Sequence, residues 1–166
     1  MTDPDAHLAE SRDLARMLIL SAERVRADFA EAVAPFGIPV PLARALLVVA
    51  TPTPMRELAG QLACDPSYVT GIADQLEAGG LVTRVPGKDR RVKLLVVTER
   101  GAELREQLAE AVTQQSVLGQ KLDPRQREDL AGLLRLLLGP DGGIHEIAPQ
   151  HPLAADPIAF AGKSTS

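Results

Sequence analysis

At 166 residues the chain is long enough for one compact domain, or a domain with an arm, and too short for a multidomain enzyme. With 45% hydrophobic and 24% charged residues it can bury an aliphatic core, which excludes wholesale disorder, while one Tyr, three Phe and no Trp leave too few ring faces for a single-strand stacking platform. A net charge of −4 argues against indiscriminate binding to nucleic acid or anionic membrane.

The acidic start MTDPDAHLAE lacks the basic and then apolar order of a secretory signal, and the single Cys64 has no disulfide partner within the chain, which points to a reducing, cytoplasmic setting. No apolar stretch reaches the roughly 18 residues of a membrane span. Leu14, Leu18, Val25, Phe29 and Ala32 mark one face of a long helix over residues 8–34, stopped by Pro35, Gly37, Pro39 and Pro41. A shorter helix follows over residues 42–50. Thr53-Pro54, Asp65-Pro66 and Asp123-Pro124 each put a capping oxygen before a proline suited to the first helical position, so each is expected to open a helix. The first two such helices carry Met55, Leu58, Ala59 and Leu62, then Val69, Ile72, Ala73 and Leu76. Only residues 63–65 separate them, which reads as a helix-turn-helix, and Gly79-Gly80 ends the second.

Residues 81–85 and 92–97 are β-branched and aliphatic runs across the turn-rich stretch 86–91, which predicts a β-hairpin. Thr98 can cap a further helix with Leu104, Leu108, Ala111, Val112, Gln115 and Leu118 on one face. The last helix, opened by Asp123-Pro124, carries Leu130, Leu133, Leu134, Leu136, Leu137 and Leu138, more apolar surface than one neighbouring helix covers, so a second chain is the natural cover. Gly139-Pro140 ends it. Residues 139–166, with four prolines and four glycines, read as an arm, and whether it is disordered or lies across a partner is left open.

Residues 53–98 carry six basic against five acidic side chains and are the only positive third; residues 1–52 have five against seven and residues 99–166 seven against ten. Within the hairpin, Arg84, Lys88, Arg90, Arg91 and Lys93 face Asp89 alone, a local charge of +4 over residues 84–93. A basic loop directly after a helix-turn-helix is an electrostatic footprint for phosphate.

Residues from about 10 to 138 resemble the MarR family of winged helix-turn-helix transcriptional regulators. The likeness is carried by Leu58-Ala59, Tyr68-Val69-Thr70, Asp74-Gln75-Leu76-Glu77, Gly80-Leu81-Val82-Thr83-Arg84, Asp89-Arg90-Arg91 in the wing, and Val97-Thr98-Glu99-Arg100-Gly101. It implies a mainly α fold with a small β-hairpin wing, a homodimer joined through its terminal helices, a recognition helix in the major groove of double-stranded DNA, and a wing arginine, by position Arg91, in the minor groove, with Asp89 holding the wing in shape. It also implies a small aromatic or amphipathic effector bound between the dimerisation helices and the winged domain. The expected division is a dimerisation helix over residues 1–40, a winged helix-turn-helix over 41–98, dimerisation helices over 99–138 and a tail over 139–166.

The outward stripe of the recognition helix departs from many relatives. It holds Ser67, Gly71, Asp74 and Ala78, flanked by Thr70 and Gln75, with no Lys or Arg, and the chain has no Asn, so direct base readout is expected to be modest. Ser67 and Thr70 can hold phosphates or bases near the positive end of the helix. Gly71 either admits a close backbone approach or is tolerated drift, and Tyr68, at the edge of the inward stripe, either packs in the core or touches DNA. Cys64 is either a buried spacer or a redox sensor. His7, His145 and His151 have no metal-site spacing, and Glu103, Glu106 and Glu110 suit a solvated face; with no base beside Cys64 and no catalytic motif, neither an enzyme nor a cofactor or metal site is expected. The leading expectation is a ligand-responsive repressor on a pseudo-palindromic operator. The alternative is a winged-helix protein-interaction module without sequence-specific DNA binding.

Overall fold

The computed structural model describes residues 4–62, 64–89 and 91–139. Helix α1, Pro4–Val33, has 30 residues and so runs for about 45 Å. Only its C-terminal end is buried, at Asp28, Ala32 and Val33, while Leu14, Leu18 and Val25 of its apolar face stand exposed. A short 3₁₀ turn, Ala34–Phe36, follows, and Gly37 at φ +63° breaks it in the left-handed region that favours glycine. Helix α2, Val40–Val48, buries Leu42, Ala43, Ala45 and Leu46.

The helix-turn-helix is α3, Met55–Leu62, and α4, Pro66–Ala78. Two of the expected caps behave differently from the sequence reading. Thr53-Pro54 forms a short strand, β1, and α3 opens only at Met55. The Thr53 hydroxyl donates to the Thr51 carbonyl (2.6 Å) and Thr53 pairs with Leu95, so its oxygen serves a turn and its backbone a sheet edge, where a proline without an N–H is tolerated. Asp65 does precede α4 in extended conformation with Pro66 in the first turn, but its carboxylate makes no capping bond. Gly80, at φ +68°, turns the chain from α4 into the wing.

Strands β2, Val82–Pro86, and β3, Lys93–Val97, form the hairpin, and the antiparallel order is β1-β3-β2. Helix α5, Glu99–Gln115, starts at Thr98, whose hydroxyl accepts from the Gly101 amide. The core joins these elements through Leu46, Leu58, Val69, Ala73, Leu76, Leu95 and Leu108, all fully buried. It is aliphatic, as the composition requires.

The expected single helix through Leu118 is interrupted at Ser116, and α6, Val117–Lys121, follows as a separate short helix. The cause is tertiary. The buried Asp28 carboxylate of α1 accepts the Val117 amide (3.0 Å) and pairs with Arg24 (2.8 Å), supplying from a distant helix the acceptor that a helix start needs. Helix α7, Pro124–Leu138, opens with a full capping box: the Asp123 carboxylate accepts the Gln126 amide (2.9 Å), and the Gln126 side chain accepts the Asp123 amide (3.0 Å). Asp123→Ala should therefore lower stability by about 1 kcal/mol in urea denaturation. Helix α7 buries none of its residues. Among the described residues no single helix is long and apolar enough to cross a membrane. The arm expected after Gly139 lies outside the described residues, as do His145 and His151.

Candidate nucleic-acid interface

Helix α4 turns Val69, Ile72, Ala73 and Leu76 into the core and leaves Ser67, Thr70, Gly71, Asp74, Gln75 and Ala78 in solvent, the stripe its periodicity predicts. The Thr70 hydroxyl donates back to the Pro66 carbonyl (3.1 Å), which leaves its oxygen as an acceptor. Tyr68 is 37% exposed, so its ring is shared between the edge of the domain and solvent. A Cβ placed on Gly71 would meet nothing within 4 Å, so no packing inside the chain demands glycine there.

The wing tip is held by its own backbone. The Gly87 amide donates to the Val92 carbonyl (2.8 Å) and the Val92 amide to the Asp89 carbonyl (2.9 Å). The Asp89 carboxylate accepts the Arg91 amide (2.9 Å), so this acid fixes the backbone from which Arg91 projects. Lys88, Arg91 and Lys93 are exposed, and the ion pairs among the described residues involve none of them. Arg90 lies outside the described residues.

Arg84 departs from the free phosphate contact the sequence suggests. It lies at the base of the wing with its side chain only 20% exposed, and its guanidinium bridges Asp74 (2.6 Å) and Glu77 (2.6 Å) of α4. Glu77 also accepts the Arg84 amide (3.1 Å). The hydrogen bond to Asp74, outweighing the burial that opposes it, raises the Arg84 pKa above its ordinary value, with Glu77 adding to the rise. Among the described residues the exposed basic charge of the tip is thus that of Lys88, Arg91 and Lys93. Sequence reasoning missed the clasp, although the i, i+3 spacing of Asp74 and Glu77 on the edge of α4 nearest the wing is its signal.

Cys64 is half-buried in the turn between α3 and α4. Burial pushes its thiol up, with Asp65 adding to the rise and Arg44 opposing it, which disfavours the reactive thiolate. Among the described residues no cluster of His, Cys, Asp and Glu could hold a metal ion. Glu103, Glu106 and Glu110 lie exposed along α5. A cleft of about 610 Å³ opens where α5, α6 and α7 meet, lined by Val112, Leu118 and Arg127 among others and by no residue of the helix-turn-helix or wing.

Residues 46–93, which span the helix-turn-helix and most of the wing, match the model of the MarR family. Among solved structures the chain is similar to CouR of Rhodococcus jostii bound to p-coumaroyl-CoA, at 26% identity and TM-score 0.67 over 78% of this chain and 94% of that one. It is similar also to a MarR family regulator of Streptomyces coelicolor in complex with DNA, at 25% identity and TM-score 0.65 over 78% of this chain and 86% of that one. A third is BpsR of Bordetella bronchiseptica, whose DNA binding is regulated by 6-hydroxynicotinic acid, at 25% identity and TM-score 0.59 over 74% of this chain and 91% of that one. No curated protein matches the chain in sequence.

Proposed function

We propose that this chain, which is similar to the MarR family over residues 46–93 and in fold to regulators of that family, is a ligand-responsive transcriptional repressor that binds a pseudo-palindromic operator as a homodimer. In this reading α4 enters the major groove with Ser67, Thr70, Gly71 and Gln75 toward bases and phosphates and Tyr68 at their edge. The wing lays Arg91 into the minor groove and Lys88, Arg90 and Lys93 along the phosphates, while Asp89 keeps the loop in shape. Residues 1–40 and 99–138 join the two subunits, so half-site centres lie about 10 base pairs apart. The observation that carries the reading is the polar stripe of α4 beside a wing whose Arg91 is exposed, in no ion pair among the described residues, and held at its amide by Asp89.

The effector is a small aromatic or amphipathic molecule, a class to which the p-coumaroyl-CoA of CouR and the 6-hydroxynicotinic acid of BpsR both belong. It regulates by binding one spacing of the two recognition helices better than the other. As a regulator of transcription the protein works in the cytoplasm, and no enzymatic step enters the mechanism.

The test is fluorescence anisotropy on DNA from upstream of the protein's own gene and on a scrambled duplex, over a salt series. Wild type should prefer the upstream duplex, with log affinity falling linearly in log salt by a slope of roughly −0.9 per phosphate neutralised. Arg91→Ala should weaken it about tenfold or more. A protein that ignores both duplexes at low salt overturns the reading and turns attention to the interaction-module alternative.

A further inference from the structure

Helix α4 presents no basic side chain, yet it carries two carboxylates at i, i+3 spacing on the edge toward the wing. Asp74 belongs to the outward stripe with Ser67 and Gly71 and its side chain is 61% exposed; Glu77 is 39% exposed. Left free, they would set negative charge against the phosphates the helix is to approach, and like charges brought together across an interface are repulsive. Arg84 offsets one of those two negative charges and is shared between them. One of its terminal nitrogens holds Asp74 and the other Glu77, while its own amide holds Glu77 again, so both carboxylates are drawn to the base of β2.

We infer that Arg84 serves DNA binding as a positioning residue and not by touching phosphate: it masks the Asp74 carboxylate on the face of the recognition helix that meets DNA. The inference deepens the proposed function and rests on its assignment of α4 to the major groove. It also explains how a recognition helix without an arginine or lysine can approach a polyanion. The wing supplies the positive charge, and Arg84 keeps the helix from opposing it.

Charge masking and direct phosphate binding separate by rescue. Arg84→Gln leaves Asp74 unmasked and should weaken binding to the upstream duplex about tenfold. Asp74→Asn in the same protein removes the exposed charge and should restore affinity to within about threefold of wild type, while Asp74→Asn alone changes it by less than about threefold. If Arg84 instead held a phosphate directly, no change at Asp74 could make good its removal. The role is overturned if the double variant binds as weakly as Arg84→Gln, or if Arg84→Gln binds like wild type. Should thermal melts show Arg84→Gln unfolded, the single Asp74→Asn carries the test, since a change of about tenfold would mean that Asp74 already acts on DNA unmasked. Wild type that binds no duplex overturns the DNA-binding reading itself. Wild type that binds, together with any of the other adverse results, overturns the Arg84 role alone.

Discussion

Replacing Leu136 and Leu137 by glutamate should yield a folded protein that is monomeric by light scattering and has lost most of its affinity for a two-half-site duplex. Leu133, Leu136 and Leu137 of α7 are 61, 81 and 68% exposed, on a helix that buries nothing, and Leu14, Met17, Ile19 and Leu20 of α1 are each more than half exposed. Apolar surface on this scale on both terminal helices marks an interaction face. In a two-fold dimer each residue is used twice, so the double substitution withdraws four leucines. At about 2 kcal/mol per buried leucine the loss is about 8 kcal/mol, or about six orders of magnitude in the dimer dissociation constant. The core through Leu46, Leu76 and Leu108 contains neither residue, so the melting of the winged domain should be preserved. A variant whose mass remains that of a dimer would put the interface elsewhere.

How much of this architecture is legible in the sequence depends on whether its cause is local. Proline, glycine and capping residues punctuate the chain locally, so the starts of the main helices, the turn at Gly79-Gly80 and the cap at Asp123 can be read directly. The inward stripe of α4 can be read because periodicity alone sorts Val69, Ile72, Ala73 and Leu76 from Ser67, Gly71 and Asp74. The failures are non-local. Thr53 caps no helix because a strand more than 40 residues away claims its backbone, and α5 ends at Ser116 because Asp28, 89 residues before Val117, supplies the acceptor there. Arg84 counts as positive charge in the sequence but is spent on two carboxylates in the fold. Net charge by segment cannot distinguish a paired guanidinium from a free one. The hydrogen bond between the Arg91 amide and the Asp89 carboxylate, by contrast, joins near neighbours and is local.

Gly101→Ala should be the most destabilising of the conservative changes, costing about 3 kcal/mol or more in urea denaturation. A Cβ at this buried position would lie 1.9 Å from the Leu81 carbonyl oxygen, 2.8 Å from its carbon and 2.9 Å from Val97. Two of those three atoms are backbone, so no rotamer change relieves the clash. Nor can the first turn of α5 withdraw cheaply, because the Thr98 amide donates to the Leu81 carbonyl (3.0 Å) and the Thr98 hydroxyl donates to the Gly80 carbonyl (2.7 Å) while accepting the Gly101 amide (3.0 Å). These bonds dock α5 onto the turn that ends α4, which couples the recognition helix to the helix on which α6 and α7 follow. Gly71→Ala is the matched control: its Cβ meets nothing within 4 Å and its φ is not positive, so the change should stabilise the protein by about 0.5–1 kcal/mol through helix propensity alone. Opposite signs at two helical glycines would locate the cause in contact with Leu81. Equal losses at both would mean that α4 also requires its glycine for folding, contrary to the open space around it.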